Sequence, residues 1–289
     1  MFWALMTVIS LHLAVGGVAS KPAADTTSGN ASSQQVAPSG SSADSSAYDV
    51  QAERQLLELA NAERQRAGLT PLKMDDGLVR AARAHAAEMA AQNQLSHQFS
   101  GEPDLAQRLA TSSTLHLERT GENVAMAGSP DQAHHALMSS PPHRDNLLSP
   151  NYNVAGFGAI RSGHMLFVAQ DFGSSLPSYS VQQAQDLVDA SVEQLRAQAK
   201  LPRLQRINDE SRSLQSSACA MAQAGSLSAA APPPGAYMLR YTSITPEALP
   251  SAISKVIAAR NLHTYSAGTC YARTQKYPRG AYWVVLVFY

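Results

Sequence analysis

Three residues on three separate segments carry the types that could do chemistry: His97 in Leu95-Ser96-His97, Glu122 in Gly121-Glu122-Asn123, and His143 in Pro141-Pro142-His143-Arg144. If they converged, two neutral imidazoles and a carboxylate would form a His2Glu-like set able to hold Zn²⁺ with a position open for water. A bound metal would lower the pKa of that water, and a Glu122 left out of the ligand set could serve as general base. The plainer alternative is a hydrogen-bonded network in which Glu122 ties His97 and His143 together and braces the loops. Spacing does not decide, because the three do not form a compact HExxH helix motif. Ser140, just before His143, is a minor candidate nucleophile. There is no GxSxG elbow, nucleotide-binding glycine loop or zinc ribbon.

The remaining candidates read as structural. His85 falls on the apolar stripe of a helical pattern, where a core histidine with a hydrogen-bond partner is expected. Glu88, one turn on, reads as a helix-surface charge. The His134-His135 pair follows Pro130-Asp131 in a short expected helix and is assigned to the surface. Arg144 and Asn146 are expected to fix the loop around His143 by hydrogen bonds.

The elements that must position these residues are partly legible. Leu56, Leu57, Ala60, Arg64 and Ala67 recur three and four apart and end at Gly68, which marks a first helix. Asp75-Asp76 offers capping carboxylates to a second, with Leu78, Ala82, His85, Met89 and Gln92 at helical spacing. Val154 to Ile160 and Met165 to Phe172 read as two strands joined across Arg161 to His164. Helices followed by paired strands imply an α+β layer fold.

Taken together, residues 84–90 (AHAAEMA), Leu95-Ser96-His97, Gly121-Glu122-Asn123-Val124-Ala125, the run Ser140-Pro141-Pro142-His143-Arg144-Asp145-Asn146-Leu147-Leu148, Gly156-Phe157-Gly158 and the closing strand resemble, in order and spacing, the bacterial branch of the cysteine-rich secretory protein, antigen 5 and pathogenesis-related (CAP) superfamily. The resemblance covers roughly residues 52–173. It implies an α-β-α sandwich whose central antiparallel sheet carries a shallow polar cleft holding two His and two Glu. His97, Glu122 and His143 match three of the four. Ser140 stands where the second Glu is expected, and Leu137 where these proteins often have Trp.

The second half compares with the first. An offset of 132 residues aligns Arg64 with Arg196, Leu72 with Leu204, Arg80 with Arg212, Met89 with Met221 and Leu95-Ser96 with Leu227-Ser228. Residues 266–271 and 282–288 resemble the two closing strands. A degenerate CAP-like repeat over 180–289 is therefore expected beside a CAP domain over 48–175, and it lacks the cleft chemistry: His97 aligns with Ala229, and no Gly-Glu-Asn follows. Both cysteines, Cys219 and Cys270, lie in this half; a disulfide is the first reading and two buried thiols the second.

The first 20 residues form an apolar run ending in Val18-Ala19-Ser20, which reads as a cleavable signal peptide with a retained anchor as the alternative. Residues 21–47 are rich in Ser, Ala, Gly and Thr and read as a tether without a fold. Lys+Arg and Asp+Glu both number 22, so no global field draws nucleic acid or an anionic membrane. Location is expected to be secreted or periplasmic. The expected function is a non-enzymatic binding or structural module, its partner a lipid or sterol or an extracellular protein as the resemblance implies; the alternative is a metal-dependent, protease-like hydrolase working through the same cleft.

Overall fold

Ala155, Phe157 and Ala159 are fully buried on one face of a strand whose other face carries Gly156 and Gly158, and this alternation sets the layering of the first half. The computed structural model describes residues 48–208, 210–228 and 235–289. The leader and tether expected over 1–47 lie outside these residues, as do Ala229 and the proline run after it.

The elements are α1 (Val50–Arg66), β1 (Lys73–Met74), α2 (Asp76–Gln92), α3 (Leu105–Ser112), β2 (His116–Ala127), α4 (Pro130–Ser139), α5 (Pro141–Leu147), β3 (Val154–Ser162) and β4 (Met165–Leu176). The sheet order is β1-β3-β4-β2. β3, β4 and β2 run antiparallel, but the two-residue β1 pairs parallel with β3, so the sheet is mixed rather than wholly antiparallel as expected. The reason is topological, since α2 carries the chain back across the sheet from β1.

One face packs Leu56 and Ala60 of α1, Ala133 and Leu137 of α4 and Leu147 of α5 against Phe157, Val168 and Phe172. The other face receives α2 through Ala82, Ala86 and Met89, with Phe167 and Ala169 beneath. A Cβ on Gly156 or Gly158 would come within 2.1 or 2.3 Å of the α2 backbone, so the helix lies directly on the strand. The result is an α-β-α sandwich.

The second half holds α6 (Val181–Gln198), β5 (Gln205–Arg206), α7 (Ser211–Ala224), β6 (Tyr237–Ser243), α8 (Ser251–Ile257), β7 (Thr264–Ala272) and β8 (Ala281–Phe288). Its sheet order, β5-β7-β8-β6, repeats the first, down to the short parallel edge strand. A Cβ on Gly268 would come within 2.2 Å of the Leu214 backbone on α7, as one on Gly158 would meet Ala82 on α2. The repeated arginine is structural. Buried Arg64 donates to the carbonyls of Thr70, Leu147, Ser149 and Tyr152; buried Arg196 donates to those of Pro202, Ile257 and Ala259. From Thr70 to Pro202 the offset is 132 residues, but from Leu147 to Ile257 it is 110. The segment lost between corresponds to α3 and α4. A disulfide joins Cys219 of α7 to Cys270 of β7, with Cα atoms 5.1 Å apart.

Candidate functional site

β2 is the edge strand of the first sheet, and its Glu122 and Asn123 must point to opposite faces. On the α2 face, Glu122 is 7% exposed. Its Oε1 accepts from His97 Nδ1 at 2.9 Å, and its Oε2 takes an ion pair from Arg108 of α3. Arg108 also donates to the His97 carbonyl at 3.1 Å and lies 3.1 Å from Glu102 Oε1. Buried His85 sets Nδ1 at 2.7 Å from Glu102 Oε1 and Nε2 at 2.8 Å from the Ser96 carbonyl, beneath the site. Burial pushes the Glu102 carboxyl upward, but hydrogen bonds from the Phe99 N–H and His85, with the charges of His85 and Arg108, hold it below its ordinary value.

Asp171 of β4 lies opposite Glu122 in the strand register and is fully buried. As a carboxylate it would face no donor. Burial first, and the Glu122 charge second, raise its pKa well above the ordinary range.

On the opposite face of β2, Asn123 centres a network of amides. Asn123 Nδ2 donates to the His143 carbonyl at 3.0 Å and to Gln170 Oε1 at 3.2 Å, and Asn146 Nδ2 donates to Asn123 Oδ1 at 3.1 Å and to the Glu122 carbonyl at 3.2 Å. These bonds hold α5 against the strand. His143 itself bonds through Nδ1 to Ser140 Oγ at 2.9 Å, with Ser140 as the N-cap residue of α5. Burial, then the charge of His97, lowers the His143 pKa.

Glu122 thus reaches His97 but not His143, which corrects the expectation of a carboxylate bridging both rings. Alternation along β2 is the cause: Glu122 belongs to the α2 face and His143 to the α5 face. The three-ligand metal set of His97, Glu122 and His143 is not assembled either. Among the described residues no three His, Cys, Asp or Glu side chains are grouped to hold a metal. A guanidinium occupies the carboxylate oxygen that a cation would need. What remains for a metal is the free Nε2 edge of each imidazole. His85 is the hydrogen-bonded core histidine expected, and His135 is exposed; His134, assigned to the surface, is instead buried on α4.

The sequence reading missed Glu102, Arg108, Gln170 and Asp171. The pair Gln170-Asp171 inside the otherwise apolar run of β4 was a usable signal. Arg108 sits on an eight-residue helix announced only by its cap, Asp104, whose Oδ1 accepts from the Gln107 N–H at 2.9 Å.

In the second half, the same sheet register replaces the polar set with apolar side chains. Anchored on Gly268 for Gly158, it puts Met238 for Glu122, Leu239 for Asn123, Leu286 for Gln170 and Val287 for Asp171.

Residues 57–172 match the CAP, or cysteine-rich secretory protein, family. The uncharacterized protein YkwD of Bacillus subtilis (strain 168) is 37% identical over 115 residues, 38% of this chain and 43% of that protein, so the match spans less than half the relative's length. Among solved structures, an extracellular SCP-domain protein from Bacillus anthracis is 26% identical with a TM-score of 0.39, covering 44% of this chain and 41% of the other. Na-ASP-1 is 7% identical with a TM-score of 0.46, covering 84% of this chain and 90% of its own. Residues 57–172 are therefore a domain of the cysteine-rich secretory protein (CAP) family.

Proposed function

We propose that this is an exported, non-enzymatic binding module whose cleft recognises its partner across the edge of the first sheet. The observation that carries the reading is the Arg108–Glu122 ion pair. A general base needs a carboxylate free to take a proton from water, and Glu122 has one oxygen on a guanidinium and the other on His97. Of the other acids at hand, Asp171 is buried beneath it and Glu102 is held by His85 and the Phe99 N–H. Ser140 lies against His143 Nδ1, but no acid orients that ring, which leaves the dyad without its third member. A lipid or an extracellular protein is the class of partner that suits such a cleft. The disulfide supports export, since such bonds persist in oxidising compartments. No helix among the described residues is long and apolar enough to cross a membrane.

A divalent metal is the second reading, favoured by the two free Nε2 atoms. His97, with its Nδ1–H on Glu122, would present Nε2 as an oriented lone pair, the usual relation of an outer carboxylate to a metal-binding imidazole. The test is zinc titration by calorimetry on the folded chain beside a variant with His97 and His143 both replaced by Ala. Stoichiometric binding lost in the variant would establish a two-imidazole metal site and reopen the hydrolase alternative. No binding, or binding unchanged in the variant, would leave the network as scaffolding for a partner surface.

A further inference from the structure

The second unit touches the first at the corner between α3 and β2, and it does so with arginines. Arg273, just past β7, sends Nη1 to the carbonyls of Ala110 and Ser113 at 2.6 and 2.5 Å and Nη2 to that of Leu115 at 2.6 Å. Arg279, just before β8, donates to the Glu118 carbonyl at 2.5 Å, beside the bulge in β2. Ala110 is in the last turn of α3 and Ser113 is its C-cap. Those carbonyls have no partner inside the helix, and a cation is favoured where they gather.

α3 needs this help. Eight residues are too few to hold a helix in water without outside contacts. Its first turn has the Asp104 cap, and from the first unit its C-terminal end receives Arg80, which donates to the Ser112 carbonyl from an exposed position. Yet α3 carries Arg108, the cation that neutralises Glu122. Arg108 lies two positions before Ala110, the first of the carbonyls that Arg273 grips. The gripping residue is itself anchored, because Cys270, three positions earlier, is bound to α7.

We propose that the second unit, having lost its own cleft, acts as a brace for the first: Arg273 and Arg279 are positioning residues that hold α3 so that Arg108 stays on Glu122. The role is independent of whether the cleft takes a metal.

The test asks whether Arg273 changes the Arg108–Glu122 interaction itself. In the full-length oxidised chain, the coupling between R108Q and E122Q is measured by urea unfolding, once with Arg273 and once in an R273Q background. With Arg273 present, coupling of about tenfold in the unfolding equilibrium constant is expected, in the range of close ion pairs. In R273Q it should fall below about twofold. A brace that merely adds stability would lower every variant alike and leave the coupling unchanged, and that result overturns the proposal. Should E122Q fail to fold, the Nε–H resonance of Arg108 provides the same decision without it. R273Q should broaden or lose that resonance while the Arg64 Nε–H, bound to the Thr70 carbonyl, persists; an unaltered Arg108 signal would refute positioning.

Discussion

At the scale of single residues, buried Arg64 and Arg196 tie together backbone segments far apart in the chain. Arg64 satisfies four carbonyls from two segments that have no partner in helix or sheet, and burial lowers its pKa through desolvation. Replacing it by Ala would strand those carbonyls beneath α1, so a loss of about 3 to 5 kcal/mol is expected on urea unfolding. Arg196→Ala, which frees three carbonyls, should cost less. Equal, small effects at both positions would show that water replaces the guanidinium. Arg64 and Arg196 were already paired by the sequence offset, but as an alignment of letters; nothing in the pattern said that each gathers carbonyls from across the fold. His97, Glu122 and His143 were likewise visible as types. Their division between two faces of β2 was not, because the strand itself had not been recognised around Gly-Glu-Asn, and without the strand there is no alternation to apply.

At the scale of elements, α1, α2, β3 and β4 were readable because burial imposes a clean period on them, and β7 and β8 for the same reason. α3, β2 and α8 were not. Their residues answer to neighbours rather than to a repeating face: Arg108 to Glu122, Asn123 to the His143 carbonyl, Ile257 to Arg196. The Cys219–Cys270 bond belongs to this scale too, since it fastens α7 to the strand it covers. The bridged cysteines are 51 residues apart in sequence. In the chain-entropy picture a loop of this size contributes about 3 to 4 kcal/mol. Reduction, or the C219S/C270S pair, should therefore lower the urea midpoint by the corresponding amount. An unchanged midpoint would mean that the α7–β7 packing, with Gly268 against Leu214, supplies nearly all the order of this unit on its own.

At the scale of the whole molecule, the seam between the two units contains a buried histidine with neither ring nitrogen hydrogen-bonded. His116, the first residue of β2, is 3% exposed, with its ring centroid 4.7 Å from that of Tyr271 and 5.8 Å from that of Tyr282. The groups facing it from the second unit are these two phenols and the guanidinium groups of Arg273 and Arg279; its own strand adds Glu118 and Arg119 further along. Burial first, then the two arginines, lowers its pKa from 6.5 to about 4. The folded protein therefore holds His116 neutral where the unfolded chain protonates it, so the stability it contributes is fully present above pH 6.5 and is lost as the pH falls toward 4. The shift corresponds to about 3 kcal/mol across that window. His116→Phe keeps a ring between the tyrosines and removes the titration, which separates this residue from the carboxylates that also titrate in acid. Urea unfolding of both chains at neutral pH and near pH 4 should show the wild type losing about 3 kcal/mol more than the variant. The same pH dependence in both would mean that the seam admits water to the imidazole, and that the units part without regard to its charge.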